Sequence, residues 1–240
     1  MEQIQPANRE LSYIAFAHRG AKAYVRENTI EAFQLALRLG ATGIESDVWL
    51  SKDGIPILDH DGVVQERIFK RPIGNYLREQ LPEHMPSLED LLRLAPRGVS
   101  ISLDIKDDDG FEEVIKVVRK VHGDQAPFIY LCHPTLDLLE KVRNGSQGIS
   151  LVSSVRLSKL VKGPEMHAAR MRESEIDVMN MHHRDWNGGL VALFHRFNRQ
   201  CFAWDCQFGR NIREMAQMNI DGIYSDWPDR FYELDSTQEI

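Results

Sequence analysis

Eight short β-rich runs alternate with helix-period segments along this 240-residue chain, and that alternation constrains the fold more than any other feature. The predicted strands are Tyr13–Ala17, Gly43–Asp47, Val99–Ile105, Pro127–Leu131, Ile149–Ser153, Ile176–Asn180, Cys201–Asp205 and Gly222–Ser225. Between them apolar residues recur at helical spacing, as in Ile30, Phe33 and Leu37, in Phe111, Val114, Ile115 and Val118, in Leu190, Leu193, Phe194 and Phe197, and in Ile212, Met215 and Ala216. Strands joined through helices pair in parallel. Eight such units in roughly 250 residues is the size of a (β/α)8 TIM barrel, an α/β fold. Neither a Pro/Gly/Ser-rich linker nor a shift in composition divides the chain, so residues 1–240 are expected to form a single domain.

One unit breaks the rule. After Gly43–Asp47 the chain runs through Val48 to Leu58 with Asp53-Gly54 between two apolar stretches, which is the pattern of a β-hairpin and not of a helical crossover. A hairpin leaving the top of a barrel strand returns to that top. It is expected to deliver Asp59-His60-Asp61 to the C-terminal mouth, beside Glu45 and Asp47, where such barrels keep their active sites. Residues 61–98 then form a short inserted connection over or beside the mouth, with a helix starting at Ser87 through a Ser87/Asp90 capping box. A second capping box is expected at Asn28/Glu31.

Composition removes several function classes. A net charge of −7 argues against a general nucleic-acid binder, which needs a basic face to displace counterions from phosphates. No apolar run approaches the roughly 18 residues of a membrane-spanning helix. The polar start lacks the basic and apolar regions of a secretory signal, and Cys132, Cys201 and Cys206 are too few for a disulfide framework, which points to the cytoplasm. In that setting Asn144-Gly145-Ser146 is a turn, not a glycosylation site. Oligomeric state leaves no mark in the sequence.

Polar residues at the C-terminal ends of the predicted strands form a compact set: His18 and Arg19 on the first, Glu45 and Asp47 on the second, Asp104 and Lys106 on the third, with His60 joining from the hairpin. Alternation places Glu45 and Asp47 on one side of their strand, and Asp104 and Lys106 together on theirs. Three facing carboxylates repel unless neutralised. They form either a buried ion network with Arg19 and Lys106 or an all-oxygen ligand set suited to Mg²⁺, Ca²⁺ or Mn²⁺ and not to zinc. A metal, two basic side chains and two imidazoles suit phosphoryl chemistry. His133, Asn180 and His182 are further mouth candidates. Trp204 either stacks on a substrate or packs in the core. Asp107-Asp108-Asp109 reads as a solvated helix start, and no glycine-rich phosphate loop is present.

His18-Arg19-Gly20, Glu27-Asn28-Thr29, Gly43-Ile44-Glu45-Ser46-Asp47-Val48, Lys52-Asp53-Gly54 and His60-Asp61 resemble the ordered motifs of the glycerophosphodiester phosphodiesterase family. Leu103-Asp104-Ile105-Lys106, Ala203-Trp204 and Asp221-Gly222-Ile223-Tyr224-Ser225-Asp226-Trp227-Pro228 resemble its later signatures. The resemblance implies a barrel hydrolase that cleaves a phosphodiester to a phosphomonoester and an alcohol. It further implies one divalent metal on Glu45, Asp47 and Asp104, phosphate contacts from Arg19 and Lys106, and proton exchange by His18 and His60. Trp204 and His133 are candidate substrate contacts.

The chain departs from the family pattern at Asp104, where the family usually has Glu, in the shortened 61–98 connection, and after Trp204. These changes leave the substrate open. The leading reading is a small glycerophosphodiester; alternatives are a sugar phosphodiester of the agrocinopine type, a lysophospholipid, or a non-catalytic phosphate-ligand sensor. Glu45, Asp47 and Asp104 against Arg19 and Lys106 leave the mouth one negative charge, which a divalent ion would reverse, so the chain's overall acidity does not exclude an anionic small molecule.

Overall fold

The computed structural model describes residues 11–66 and 69–235. Eight strands close a parallel barrel: β1 (Ile14–His18), β2 (Gly43–Leu50), β6 (Ser100–Ile105), β7 (Ile129–His133), β8 (Ser150–Ser154), β9 (Val178–His182), β10 (Gln200–Trp204) and β11 (Gly222–Ser225). Pairing of β1 with both β2 and β11 completes the ring. Helices α1 (Ile30–Arg38), α2 (Leu88–Leu94), α3 (Gly110–His122), α4 (Leu136–Arg143), α5 (Gly163–Glu173), α6 (Gly188–Arg196) and α7 (Gly209–Gln217) cover the outside. The (β/α)8 expectation holds, and all eight predicted strands are present.

The predicted hairpin is also present. Strand β3 (Pro56–Leu58) runs antiparallel to β2, with Val48 opposite Leu58. The inserted connection holds more than the expected helix, because β4 (Val63–Glu66) and β5 (Phe69–Pro72) form a two-stranded ribbon. Ile57, Val64, Ile73, Leu81 and Met85 pack beneath it as a satellite core. No described residue of 61–98 lines the cavity at the C-terminal end of the barrel, so the described part of the connection lies beside the mouth.

Two apolar layers hold the barrel. Outward-facing strand residues such as Ile44, Val48, Leu103, Leu131 and Leu151 meet the inner stripes of the helices. Inside, Phe16, Tyr130, Val152, Val178, Phe202 and Tyr224 fill the lumen, with Phe16 stacked on Tyr224 at 4.6 Å. Gly43 and Gly222 make room for this plug: a Cβ on Gly43 would stand 2.5 Å from the Phe16 ring, and one on Gly222 2.7 Å from Phe202. With the lower lumen packed shut, polar inward residues can gather only at the top.

One capping expectation is corrected. Ser87 and Asp90 form their box at the start of α2, but α1 is capped by Thr29, whose Oγ1 accepts the Ala32 amide at 3.1 Å. Asn28 is buried instead, and its side chain accepts from Ser46 Oγ at 2.7 Å and donates to Asp47 Oδ2 at 3.3 Å.

Candidate active site

A cavity of about 520 Å³ opens at the C-terminal ends of the barrel strands. His18, Arg19, Glu45, Asp47, Asp104, Lys106, Asn180 and Trp204 all line it, so the structure brings eight of the eleven residues singled out above into one space. Parity explains the grouping. The inward positions that carry Phe16, Gly43 and Ser102 lower down carry His18, Glu45, Asp47 and Asp104 two or four residues later. Register then sets His18 beside Glu45 and Asp47 beside Asp104 across neighbouring strands.

At the end of β1 the chain turns sharply. Arg19 has φ +56°, and Gly20 at φ +78° passes so close to α1 that a Cβ would come within 2.7 Å of the Ala32 backbone. The turn aims the Arg19 amide at Glu45, which accepts its N–H at Oε2 over 3.0 Å. The Arg19 guanidinium spans Asp47, 3.1 Å from Nε, and Glu27, 3.1 Å from Nη1. Lys106 follows β6 and stands between Asp47, at 2.9 Å, and Asp104, with which it makes a second close ion pair.

The three carboxylates are therefore unequal. Burial raises the Asp47 pKa, but Lys106 and Arg19 outweigh it and hold the group below the ordinary carboxylate range. Glu45 has weaker compensation: burial, helped by Asp47 and Asp104, pushes its pKa up to about 7 against the pull of His18 and Arg19. The half-buried Lys106 is held above the usual lysine value by Asp104 and Asp47, in spite of its desolvation.

His18 is fixed from the far end of the chain. Its Nδ1 lies 2.6 Å from Asp226 Oδ1, and its Nε2 lies 3.8 Å from Glu45 Oε2. Burial lowers the His18 pKa, yet Glu45 and the Asp226 hydrogen bond outweigh it and set the group above its ordinary value. Asp226 was not singled out from the sequence. Its position just after the inward Tyr224 was the available signal.

His60 and His133 do not line the cavity. His60 sits at the end of the hairpin, where the Asp59 amide donates to the Asp47 carbonyl at 3.2 Å, and its Nδ1 lies 2.8 Å from Asp61 Oδ1. His133 is buried on the outer side of β7, because that strand runs two residues beyond its predicted end and Tyr130 and Cys132 take the inward positions. Its ring meets Phe111 edge-on, its Nδ1 accepts the Thr135 amide, and its Nε2 lies 3.3 Å from Asp108. Of the other two mouth candidates Asn180 lines the cavity, together with Arg156 and opposite the carboxylates, and His182 does not.

Two groups among the described residues draw three metal-type ligand atoms within 4.8 Å of one another, His182–His183–Asp205 and His195–Cys201–Asp221. In the first, both ring nitrogens of His182 are committed: Nδ1 accepts the Arg184 amide and Nε2 meets Asp205 at 3.0 Å. In the second, Asp221 is occupied by His195 and the Cys201 amide, and Cys201 is fully buried. Glu45, Asp47 and Asp104 are not drawn together to that degree, since Lys106 stands between the two aspartates. In donor chemistry they are the better fit to a hard cation: all oxygen, side by side in register, and with a buried Glu45 short of positive charge.

Residues 18–230 match the profile of the glycerophosphoryl diester phosphodiesterase family. A glycerophosphodiester phosphodiesterase of Bacillus altitudinis is 27% identical over 242 residues, covering 90% of this chain and 95% of the relative. One from Caldanaerobacter subterraneus subsp. tengcongensis is 27% identical over 245 residues, covering 92% and 97%. The crystal structure of a glycerophosphodiester phosphodiesterase from Thermotoga maritima shares the fold, with a TM-score of 0.78 at 22% identity over 92% of this chain and 98% of that one. So does a phosphodiesterase from Oleispira antarctica in complex with the product sn-glycerol-3-phosphate, with a TM-score of 0.79 at 17% identity, covering 92% and 95%.

Proposed function

Since this chain belongs to the glycerophosphoryl diester phosphodiesterase family, we propose that it is a metal-dependent hydrolase that converts a small glycerophosphodiester to an alcohol and a phosphomonoester. The observation that carries this reading is the convergence of His18, Arg19, Glu45, Asp47, Asp104 and Lys106 on one open cavity. Glu45, Asp47 and Asp104 would hold a Mg²⁺, Ca²⁺ or Mn²⁺ ion. Such an ion, when bound, draws negative charge from the non-bridging phosphate oxygens. Arg19 and Lys106 add fixed positive charge on the same oxygens, where the transition state accumulates its negative charge. To reach the phosphate, Lys106 exchanges an aspartate partner for a phosphate oxygen.

His18 and His60 divide the proton work. Each has Nδ1 on a carboxylate, Asp226 or Asp61, so in the neutral ring the proton resides on Nδ1 and Nε2 carries the working lone pair. His18 exchanges its proton inside the cavity, beside Glu45. His60 serves from the hairpin at the rim. His133 is left out of the substrate contacts, because its ring is enclosed between Phe111 and Asp108.

Mouth access favours a second substrate class as well. No described residue of 61–98 lines the cavity, which leaves room for a bulkier sugar phosphodiester. No described helix is long and apolar enough to cross a membrane. The test is a panel of glycerophosphodiesters and sugar phosphodiesters with Mg²⁺, Ca²⁺, Mn²⁺ or EDTA, identifying both products. Turnover that EDTA abolishes and that His18→Ala or His60→Ala removes is expected. Failure on every diester with every metal would return the chain to the phosphate-ligand sensor reading.

A further inference from the structure

The wall of the cavity opposite the carboxylates carries polar groups that the reaction does not use. Asn180, on β9, is 6% exposed, and its Oδ1 is buried with no hydrogen-bond partner. Its Nδ2 donates to Ser154 Oγ at 3.0 Å, across the register pair that joins β8 to β9. An amide has one donor end and one acceptor end, so whichever end meets Ser154, the other is left buried in the wall of the cavity. A buried, unsatisfied amide end is costly in the empty protein, and a ligand hydroxyl satisfies either end because it both donates and accepts.

Arg156 stands two residues beyond Ser154. Asp185 holds it through Nε at 2.6 Å and Nη2 at 3.0 Å, which leaves the Nη1 edge of the fork without a hydrogen-bond partner among the described residues. The guanidinium also lies 5.8 Å from the centre of the Trp204 ring. An aromatic face that could hold a quaternary ammonium is thus already attended by a cation, and a second cation there would meet like charge. Asp205 completes the wall as an acceptor, already engaged by His182 and by Gln207 Nε2 at 3.2 Å.

A donor edge, an open amide and an engaged carboxylate thus share one cavity. Neither a simple anion nor a simple cation satisfies all three. Neighbouring hydroxyls do. Resting on the phosphodiesterase reading above, we infer that Asn180, Arg156 and Asp205 form a polyol subsite for the alcohol opposite the common glycerol, and that the enzyme selects glycerophosphodiesters whose second alcohol is polyhydroxylated, such as a second glycerol, inositol or a sugar, over choline esters.

The test compares kcat/KM for glycerophosphoinositol and glycerophosphoglycerol with that for glycerophosphocholine, using the metal-loaded full chain. A site built around substrate hydroxyls rejects analogues lacking them steeply, so a ratio on the order of 10² or more in favour of the polyols is expected. Asn180→Leu and Arg156→Met should each narrow that ratio by roughly tenfold or more. A merely structural defect lowers all substrates together and leaves the ratio unmoved. A wild-type ratio near one or favouring choline overturns the inference, and so does a ratio that neither variant changes. If no diester is cleaved, the phosphodiesterase reading itself falls. The subsite is then judged by calorimetry with inositol 1-phosphate and phosphocholine, where tighter binding of the inositol ester supports it and equal affinity refutes it.

Discussion

Replacing Asp226 with Asn isolates the contact that fixes His18. Asp226 Oδ1 accepts from His18 Nδ1 at 2.6 Å, the length of a charge-assisted bond, and it is the only carboxylate at that nitrogen among the described residues. The substitution keeps the size of the side chain, but it removes the charge and lets the amide present either a donor or an acceptor. A hydrogen bond to a charged group contributes about 1.5–3 kcal/mol, and each 1.4 kcal/mol lost from the transition state is about tenfold in rate. A fall in kcat of about 10- to 100-fold is therefore expected, with little change in KM, since Asp226 is directed at the imidazole and not at the proposed phosphate contacts Arg19 and Lys106. The pH profile supplies an independent sign. Burial lowers the His18 pKa while Glu45 and Asp226 raise it, so loss of Asp226 moves the limb assigned to His18 toward lower pH. Steady-state kinetics across pH on the metal-loaded protein, with a thermal melt to confirm folding, measures both. A variant with kcat within twofold of wild type and an unmoved profile would refute the argument that Asp226 positions His18.

Glu45 gives a stability prediction for the metal-free protein. Its folded pKa of about 7 lies above the ordinary 4.5, so the folded state holds the extra proton and stability falls as pH rises between those values. Glu45→Gln should remove that slope and gain on the order of 3 kcal/mol over metal-free wild type above pH 7, read from urea melts; parallel slopes would contradict it. Metal affinity should rise with pH through the same range as Glu45 gives up its proton, which calorimetry in buffers of different ionisation enthalpy detects. Lys106→Met should lower kcat/KM on the order of 10²-fold without weakening metal binding, because it removes the ammonium that stands between Asp47 and Asp104; loss of metal affinity instead would show that Lys106 supports the ligand set. Gly43→Ala should cost about 1–3 kcal/mol in thermal or urea unfolding, since its Cβ would meet the Phe16 ring at 2.5 Å, and a neutral change would mean that the aromatic plug yields easily.

Much of the site was legible because strand alternation is a local rule. Glu45 and Asp47 share a face from their spacing alone, the Asp53-Gly54 turn placed His60 on a hairpin, and the order of the motifs carried the family. Trp204 was left between core and cavity, and it does both: it packs beside the inner cluster and lines the mouth. His133 shows how narrow the margin is. Two residues of error in the end of β7 turned an outward side chain into an apparent mouth residue, since a single step along a strand changes the face.

What the chain encodes locally is the period of its strands, the hairpin after β2 and the identity of the acids and bases at the strand ends, because alternation and turn chemistry act over a few residues. Tertiary structure alone decided which of those groups meet. Asp226 reaches His18 across 208 positions only because the ring closes β11 against β1. Asn28 leaves a helix cap to hold Asp47 and Ser46, and Lys106 settles between two aspartates on adjacent strands. Such pairings follow from barrel closure, register and desolvation, which bring distant charges together in a medium where each must find a partner.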